Sequence, residues 1–276
     1  MPISPEQIVA PPPPVEHSRP LTATESEDFA NVLRIRPESI RTTFRADAPK
    51  AERALPSYDE LVADPIKTRF ASDPTFFAQI KRDVALELLP RYFDAASREN
   101  LRVLDVGCGT GELMRSLEQS FRNVQGCDPS LSMVCRAGVN AAYMPSELQL
   151  PFDAGTFDVA TCACVYHHIA PEIRLAHLAE IRRVLKPGGV LLVFEHNPRN
   201  PLTQFIVHRC PIDASAKLIG AKGMKRLFRS AGFERVRTRY YLFLPRRLYR
   251  HFGACERLFS LTTLGGQYCS IARNPG

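Results

Sequence analysis

The spacing of hydrophobic positions changes repeatedly along the first half of the chain. From Pro74, which follows an aspartate, apolar residues recur every three or four positions, and this period predicts a helix that ends near Pro90. Residues 101–106 form instead a short apolar run closed by Gly107, which predicts a strand. The segment 110–119 returns to the helical period. The pattern therefore predicts helix, strand and helix in succession.

Strands and helices continue to alternate up to residue 195. Apolar runs at 124–127, 141–144, 157–165 and 190–195 predict four more strands. Residues 171–185 precede the last run and predict a helix, which the Pro-Gly-Gly of residues 187–189 stops. The apolar stripe of this helix consists of Leu175, Leu178, Ile181 and Leu185. A regular alternation of this kind predicts an α/β fold with a doubly wound sheet.

The final part of the chain departs from strict alternation. Residues 222–231 predict a basic helix that Gly232 ends. Residues 236–244 then show the two-residue period of a strand, and residues 267–273 predict a last strand. We therefore expect the sheet to end in a hairpin-like pair of strands.

Composition divides the chain of 276 residues into three parts. Residues 1–20 contain seven prolines and little apolar surface, which predicts a flexible leader. Residues 21–72 are polar and interrupted by prolines, so we expect an N-terminal helical cap or arm. Residues 73–276 form the α/β domain, with insertions near 198–220 and 246–264 that we expect to cover the substrate.

Charge is distributed unevenly along the chain. The formal net charge is +7, but residues 220–276 alone carry 12 Lys and Arg against two Asp and Glu. Such a basic region attracts phosphate, anionic lipid or nucleic acid, and it is equally typical of a solvated face that binds nothing. No apolar run approaches the roughly 20 residues of a membrane span, and the N-terminus does not resemble a signal peptide. We therefore predict a cytoplasmic protein without a transmembrane segment.

Three glycines follow the first predicted strand: Gly107, Gly109 and Gly111. Glycine permits a sharp turn and a close approach of the backbone to a ligand, because it has no Cβ. A dinucleotide site would need a small residue where this chain has Glu112, and a diphosphate would fit poorly beside Asp105. The acidic lining favours a ligand with a positive amino-acid part and a ribose. Asp128, at the end of the second strand, is placed to accept hydrogen bonds from both ribose hydroxyls.

Four segments, in this order, resemble the class I S-adenosylmethionine-dependent methyltransferases: residues 103–111 (VLDVGCGTG), 126–129 (GCDP), 150–158 (LPFDAGTFD) and 180–189 (EIRRVLKPGG). The resemblance covers roughly residues 75–275 and implies S-adenosylmethionine as the cofactor. It also implies a Rossmann-like, mostly parallel sheet of seven strands in the order 3-2-1-4-5-7-6, with strand 7 antiparallel. That order agrees with the hairpin-like pair expected at the end of the chain.

The resemblance further implies which residues hold the cofactor. Those around its methionine part are Asp105, Gly107, Cys108, Gly109 and Gly111. Asp128, with Pro129 beside it, would hold the ribose. The family often has an acid beside the adenine, where this chain reads PSELQ, so Ser146, Glu147 or a backbone carbonyl would take that role. The helix of residues 74–90 is an element that often covers the cofactor in this family.

Two polar triplets follow the fourth and fifth predicted strands: Tyr166-His167-His168 and Glu195-His196-Asn197. The carboxyl ends of these strands form the crevice where open α/β sheets bind ligands. We therefore predict His168, His167 and His196 as candidates for a general base. The alternative for His168 is that it caps the helix near residue 171. The neighbours of the histidines are predicted to contact the substrate: Tyr166, Glu195 and Asn197.

The sequence predicts no metal site. The eight cysteines show no C-x-x-C pair and no paired spacing, which predicts reduced thiols rather than a zinc site or disulfides. The histidines of the two triplets and Glu195 are residues of metal-ligating type, but side chains adjacent along a strand diverge.

These observations predict methyl transfer from S-adenosylmethionine to a small or lipid-like metabolite, at oxygen, nitrogen or carbon. Two alternatives stay open. The basic C-terminal region is compatible with methylation of RNA or another nucleic acid, although basic and aromatic residues are not densely interleaved there, so nucleic acid is the less favoured partner. The other alternative is a non-catalytic protein of this fold that binds a partner, or a membrane surface peripherally, through the same region. The complete glycine loop and Asp128 speak against it. The oligomeric state is not predicted.

Overall fold

The computed structural model describes residues 74–210, 213, 216–243, 259 and 262–276. The predicted leader and the predicted arm lie outside the described residues, as does most of the predicted insertion at 246–264.

Seven strands form one sheet. Their bounds are β1 Arg102–Val106, β2 Asn123–Asp128, β3 Ala141–Tyr143, β4 Phe157–Ala163, β5 Leu185–His196, β6 Glu234–Tyr241 and β7 Gln267–Arg273. The strand order is β3-β2-β1-β4-β5-β7-β6, and β7 runs antiparallel to both of its neighbours. The predicted fold class and strand order are therefore confirmed.

Helices cover both faces of the sheet. Their bounds are α1 Pro74–Leu88, α2 Glu112–Leu117, α3 Leu131–Ala137, α4 Arg174–Val184, α5 Pro201–Arg209 and α6 Ala221–Ser230. Two short 3₁₀ helices, Leu89–Arg91 and Ala95–Asn100, connect α1 to β1. Residues of α1, α2 and α3 share one apolar core with the sheet, whereas residues of α4 and α6 share the other. None of the described helices has the length and apolar character needed to cross a membrane.

Helix α4 differs from its prediction in one respect. Leu175, which we expected in the apolar stripe, is 43 % exposed, whereas Arg174 and His177 are buried beside Leu178. Both polar side chains have internal partners: Arg174 donates to the carbonyl oxygen of Ile169 (3.0 Å), and His177 is hydrogen-bonded to the Tyr166 hydroxyl (2.9 Å). The spacing of apolar residues therefore predicted the wrong buried face in the first turn of α4. Polar side chains can occupy that face because buried polar groups are tolerated when they are hydrogen-bonded.

The Pro-Gly-Gly after α4 does not separate the helix from the next strand by a loop. Strand β5 begins at Leu185, directly after the helix, and its pairing with β4 shifts register between Phe157 and Val159. Residues 186–189 therefore form an irregularity within β5. Strand β6 ends at Tyr241, earlier than predicted, where Leu242 adopts a φ of 63°.

Candidate active site

The glycine loop lies between the carboxyl ends of β1 and β2. Gly107, Gly109 and Gly111 all have positive φ, at 72°, 54° and 83°. A Cβ on Gly107 would lie 2.6 Å from Val165 Cγ2, whereas a Cβ on Gly109 would meet nothing within 4 Å. The first glycine is therefore required by packing, and the second borders open space.

Asp128 holds this loop in place. Its Oδ2 accepts a hydrogen bond from the backbone N–H of Gly109 (2.8 Å), and its Oδ1 accepts one from Ser130 (2.9 Å). Burial raises the pKa of Asp128, and the two backbone hydrogen bonds act against that rise. Each carboxylate oxygen keeps a further lone pair, so hydrogen bonds from ribose hydroxyls remain compatible with this arrangement.

Asp105 lies at the end of β1 and is 1 % exposed. Its Oδ1 accepts a hydrogen bond from the Thr161 hydroxyl (2.7 Å). Burial raises the pKa of Asp105 to about 7, while the Thr161 hydrogen bond and the charge of Lys81 lower it. An ammonium group placed beside this carboxyl would favour its charged form.

Lys81 on α1 is a buried cation that sequence reasoning placed on the covering helix without giving it a role. The residue is 8 % exposed, and its Nζ lies 5.9 Å from the centre of the Phe77 ring. It acts electrostatically on Asp105 and Cys164, but it forms no ion pair with a carboxylate of the described residues. A lysine within the apolar stripe of a helix was the signal for it.

The other residues predicted to bind the cofactor lie in varied surroundings. Cys108 is buried, and its Sγ would lie 2.9 Å from a Cβ on Gly126, so its side chain faces the protein core. Pro129 is exposed at the end of β2. Ser146 and Glu147 lie in a turn after β3, in which the Ser146 hydroxyl accepts from the Leu148 N–H (3.2 Å). Cys108 therefore offers its backbone to the loop, and the adenine role of the turn stays a prediction.

The two polar triplets meet at the carboxyl ends of β4 and β5. The ring centres of His167 and His168 are 4.2 Å apart, and those of His167 and His196 are 5.2 Å apart. The expectation that adjacent side chains diverge was wrong here, because the chain leaves the extended conformation: Cys164 has a φ of 60°, and the N–H of His168 donates to the carbonyl oxygen of Val165 (3.0 Å).

His167 lies between two carboxylates. Its Nδ1 is 2.7 Å from Glu195 Oε2, with both side chains buried, and its Nε2 is 3.4 Å from Asp213 Oδ1. Burial lowers the pKa of His167, but the hydrogen-bonding carboxylates raise it more, to about 10. Burial raises the pKa of Glu195, but the hydrogen bond and charge of His167 act in the opposite direction, and the net shift of the pKa is downward.

His168 is the most exposed histidine of this cluster. Its side chain is 39 % exposed, and its Nε2 lies 3.5 Å from the same Asp213 oxygen. Burial and the positive charge of His167 lower the pKa of His168.

Asp213 was missed by sequence reasoning. It lies between α5 and α6, where its N–H donates to the carbonyl oxygen of Cys210 (3.0 Å). Further along, the N–H of Lys217 donates to the carbonyl oxygen of His167 (2.9 Å), which ties this segment to the histidine turn. Burial raises the pKa of Asp213, but His167 lowers it to about 2. The signal in the sequence was that Asp213 is the only acidic residue between Glu195 and Glu234.

The three residues predicted to contact substrate are occupied by internal partners. Tyr166 is fully buried, with its hydroxyl bonded to His177, and the carboxylate of Glu195 accepts from the Tyr166 N–H (2.7 Å) as well as contacting His167. Asn197 Nδ2 donates to the carbonyl oxygens of Thr263 (2.9 Å) and Gly265 (2.7 Å). These contacts favour a positioning role for all three over direct contact with substrate.

His196 lies next to Gln267 and Cys164. Its Nδ1 lies 3.5 Å from Gln267 Nε2, and the Tyr241 hydroxyl donates to Gln267 Oε1 (2.8 Å). Burial raises the pKa of the neighbouring Cys164, but the charges of Lys81 and His196 lower it to about 7. The histidine cluster is therefore linked through Cys164 to Lys81, whose charge also acts on Asp105.

The known proteins to which this chain is similar are methyltransferases. Residues 104–193 match the family described as "Methyltransferase domain". The chain is 32 % identical over 149 residues to an uncharacterised methyltransferase of Synechocystis sp., an alignment that covers 51 % of this chain and 70 % of that protein. A structure of an S-adenosylmethionine-dependent methyltransferase from Thermotoga maritima aligns with a TM-score of 0.54 at 20 % identity, covering 72 % of this chain and 91 % of the other.

Two further relatives act on different acceptors. A tRNA (carboxymethyluridine(34)-5-O)-methyltransferase of Xenopus tropicalis is 38 % identical over 95 residues, which cover 33 % of this chain and 15 % of that protein. A demethylmenaquinone methyltransferase of Beutenbergia cavernae is 35 % identical over 103 residues, which cover 36 % of this chain and 42 % of that protein. The chain thus spans less than half the length of either relative.

Proposed function

Because the chain belongs to the class I S-adenosylmethionine-dependent methyltransferases, with S-adenosylmethionine as cofactor, we propose that it methylates an oxygen atom of a small hydroxylated molecule. The observation that carries this proposal is His168 Nε2, partly exposed at the carboxyl end of β4 and 3.5 Å from the Asp213 carboxylate. A nitrogen lone pair at this position can act on a hydroxyl group, because methyl transfer to a hydroxyl requires that its proton be removed.

The cofactor would lie along the carboxyl ends of β1 and β2. In this arrangement Asp105 faces the ammonium group of the methionine part, and Lys81 faces its carboxylate. Asp128 accepts from the ribose hydroxyls, and Gly109, whose Cβ position is open, allows the backbone to approach the ligand. The turn at residues 146–147 lies toward the adenine.

The reaction is an in-line displacement at the methyl carbon. The acceptor oxygen forms the new bond to carbon as the bond from carbon to the sulfonium sulfur breaks, and S-adenosylhomocysteine leaves. The protein contributes chiefly by aligning the two reactants and by removing the hydroxyl proton. Glu195 and His167 hold the turn from which His168 projects toward the acceptor.

The first experiment compares His168→Gln with a matched control. His208→Gln is that control, because His208 is an exposed histidine on α5 outside the cluster. Binding of S-adenosylhomocysteine is measured by calorimetry, and methyl transfer is measured from radiolabelled S-adenosylmethionine to a panel of phenols, catechols and hydroquinones. We expect His168→Gln to retain cofactor affinity within about twofold and to lose about 10²- to 10⁴-fold in rate, the contribution typical of proton transfer by a positioned side chain.

Absence of S-adenosylhomocysteine binding in the native protein would overturn the proposal and favour a non-catalytic protein. Equal rates for His168→Gln and His208→Gln would remove His168 from the mechanism.

A second candidate acceptor is RNA. The similarity to a tRNA methyltransferase and the exposed Arg235 and Arg237 on β6 favour it. These arginines lie at the far edge of the sheet, beyond β7, whereas the histidine cluster lies at the ends of β4 and β5. Salt separates the two candidates: RNA methylation should weaken steeply between low and physiological salt, whereas methylation of a small phenol should change little.

A further inference from the structure

We propose that His167, His168 and Asp213 bind a divalent transition-metal ion of the Zn²⁺ type. The ion would use His167 Nε2, His168 Nε2 and Asp213 Oδ1, and its open position would hold the acceptor oxygen. The part that concerns the acceptor rests on the proposed function; the metal site itself does not.

The Asp213 carboxylate is spaced from the two imidazole nitrogens as two ligands of one metal ion are. Asp213 Oδ1 lies 3.4 Å from His167 Nε2 and 3.5 Å from His168 Nε2. One ligand atom of each of the three residues lies within 4.8 Å of a ligand atom of the other two. Around tetrahedral Zn²⁺, with bonds of about 2.0–2.1 Å, neighbouring ligand atoms are about 3.3–3.4 Å apart. Nitrogen and oxygen atoms joined by a good hydrogen bond are about 2.7–3.2 Å apart, which is shorter than both observed distances.

A buried carboxylate already orients the first imidazole. Glu195 Oε2 lies 2.7 Å from His167 Nδ1, and Glu195 is itself held by the N–H of Tyr166 at 2.7 Å. A histidine that binds a metal commonly donates its other ring N–H to such a carboxylate, which fixes the tautomer and points the free nitrogen at the ion. Here that free nitrogen is His167 Nε2, the atom that faces Asp213.

Hydrogen bonds between the side chains do not explain why His168 approaches Asp213. A protonated His167 between Glu195 and Asp213 would satisfy all three of those groups. His168 Nε2, however, also converges on the Asp213 oxygen at 3.5 Å, beyond good hydrogen-bonding distance. A shared metal ion explains why two imidazole nitrogens approach one carboxylate oxygen.

The chemistry of the three ligands selects the kind of ion. Two imidazoles and one carboxylate suit Zn²⁺, Co²⁺, Fe²⁺ or Mn²⁺, whereas Mg²⁺ prefers oxygen ligands and water. Both His167 and Asp213 are largely buried, and His168 is 39 % exposed, so a fourth position can open toward the acceptor side.

A metal ion at this position would change how His168 acts. Its lone pair would bind the ion rather than the proton of the acceptor. The ion would lower the pKa of a bound hydroxyl, the proton would leave to solvent, and the resulting oxyanion would attack the methyl carbon as its bond to sulfur breaks.

The test measures metal binding without activity. The full chain is stripped with a chelator and titrated with Zn²⁺ against a chromogenic competitor, and separately with Co²⁺, whose visible absorption reports a tetrahedral site. We expect one equivalent to bind, and we expect Asp213→Asn and His168→Gln each to weaken Zn²⁺ binding at least 100-fold and to abolish the Co²⁺ bands. His208→Gln, the exposed control, should bind as the native chain does.

Two checks keep the outcome unambiguous. Binding of S-adenosylhomocysteine should be unchanged in Asp213→Asn, which shows that the variant is folded. Absence of the Co²⁺ bands in the native chain, or equal binding by the native chain and both ligand variants, overturns the metal site. If the native chain methylates phenols without binding metal, only the metal site fails; if it binds metal but no S-adenosylhomocysteine, only the proposed function fails.

Discussion

Lys81 gives the sharpest test of how the cofactor is oriented. Its ammonium group is buried near Asp105 and Cys164, and it has no carboxylate partner among the described residues in the ion pairs of the structure. In the proposed arrangement, S-adenosylmethionine brings a carboxylate into this region together with its ammonium group. Lys81→Met removes the charge and keeps a side chain of similar length and apolar character, so the change is mainly electrostatic.

The expected loss of affinity follows from the burial of Lys81, which would shield its contact with the cofactor carboxylate from water. A hydrogen bond to a charged group contributes about 1.5–3 kcal/mol when it is shielded from water, and Lys81 is 8 % exposed. That range corresponds to a loss of about 10- to 150-fold in affinity. The free energy of unfolding of the protein alone should not decrease, because Lys81 forms no ion pair within the described part of the chain and a buried charge of that kind does not stabilise the folded state.

The assay compares two ligands by calorimetry. S-adenosylhomocysteine contains the carboxylate, whereas 5′-methylthioadenosine lacks the whole amino-acid part. We expect Lys81→Met to weaken the binding of S-adenosylhomocysteine but not that of 5′-methylthioadenosine. Lys222→Met, at an exposed lysine of α6, should weaken the binding of neither ligand. Equal losses for both ligands, or an unchanged affinity for S-adenosylhomocysteine, would refute the pairing of Lys81 with the carboxylate.

Three further predictions concern the loop and buried titratable groups. Gly109→Ala should lower the free energy of unfolding by about 1–2 kcal/mol because of its positive φ, and it should weaken binding of S-adenosylhomocysteine. Gly107→Ala should destabilise the protein more, because its Cβ would lie 2.6 Å from Val165. Urea unfolding measures the stability of both variants, and calorimetry measures ligand binding. Burial raises the pKa of Asp105 from 3.8 to about 7, so the folded state binds a proton that the unfolded state releases. The contribution of Asp105 to stability should therefore be lost as pH rises from about 4 to about 7, while S-adenosylhomocysteine affinity should rise. Both trends are read as the difference between the native protein and Asp105→Asn. Burial lowers the pKa of His177 from 6.5 to about 4, so the contribution of His177 to stability should be lost as pH falls from 6.5 toward 4. Urea unfolding of the native protein and of His177→Gln should show this loss as the difference between their pH profiles.

Several features could be predicted from local sequence. The periods of apolar residues indicated the strands and most helices, because each segment must bury one face or both. The glycines and acids after β1 and β2 indicated the cofactor side, since a tight turn beside a ligand requires glycine and a ribose requires an acceptor. The order of the seven strands followed from the resemblance of four segments to a known family. The strand order and the positions of Asp105 and Asp128 agree with that prediction.

The acceptor side was decided by tertiary structure. Asp213 is 45 positions after His168 in the chain, yet the two side chains meet because the segment between α5 and α6 is tied to the histidine turn. Periodicity reports which face of a segment is buried, but it does not report which distant segment covers that face. The sequence by itself therefore determined the helices, the strands and the glycine loop, whose interactions are largely local, and its resemblance to a family indicated the order of the strands. Convergence of His167, His168 and Asp213 depends on a turn geometry and a long-range contact that only the folded chain supplies.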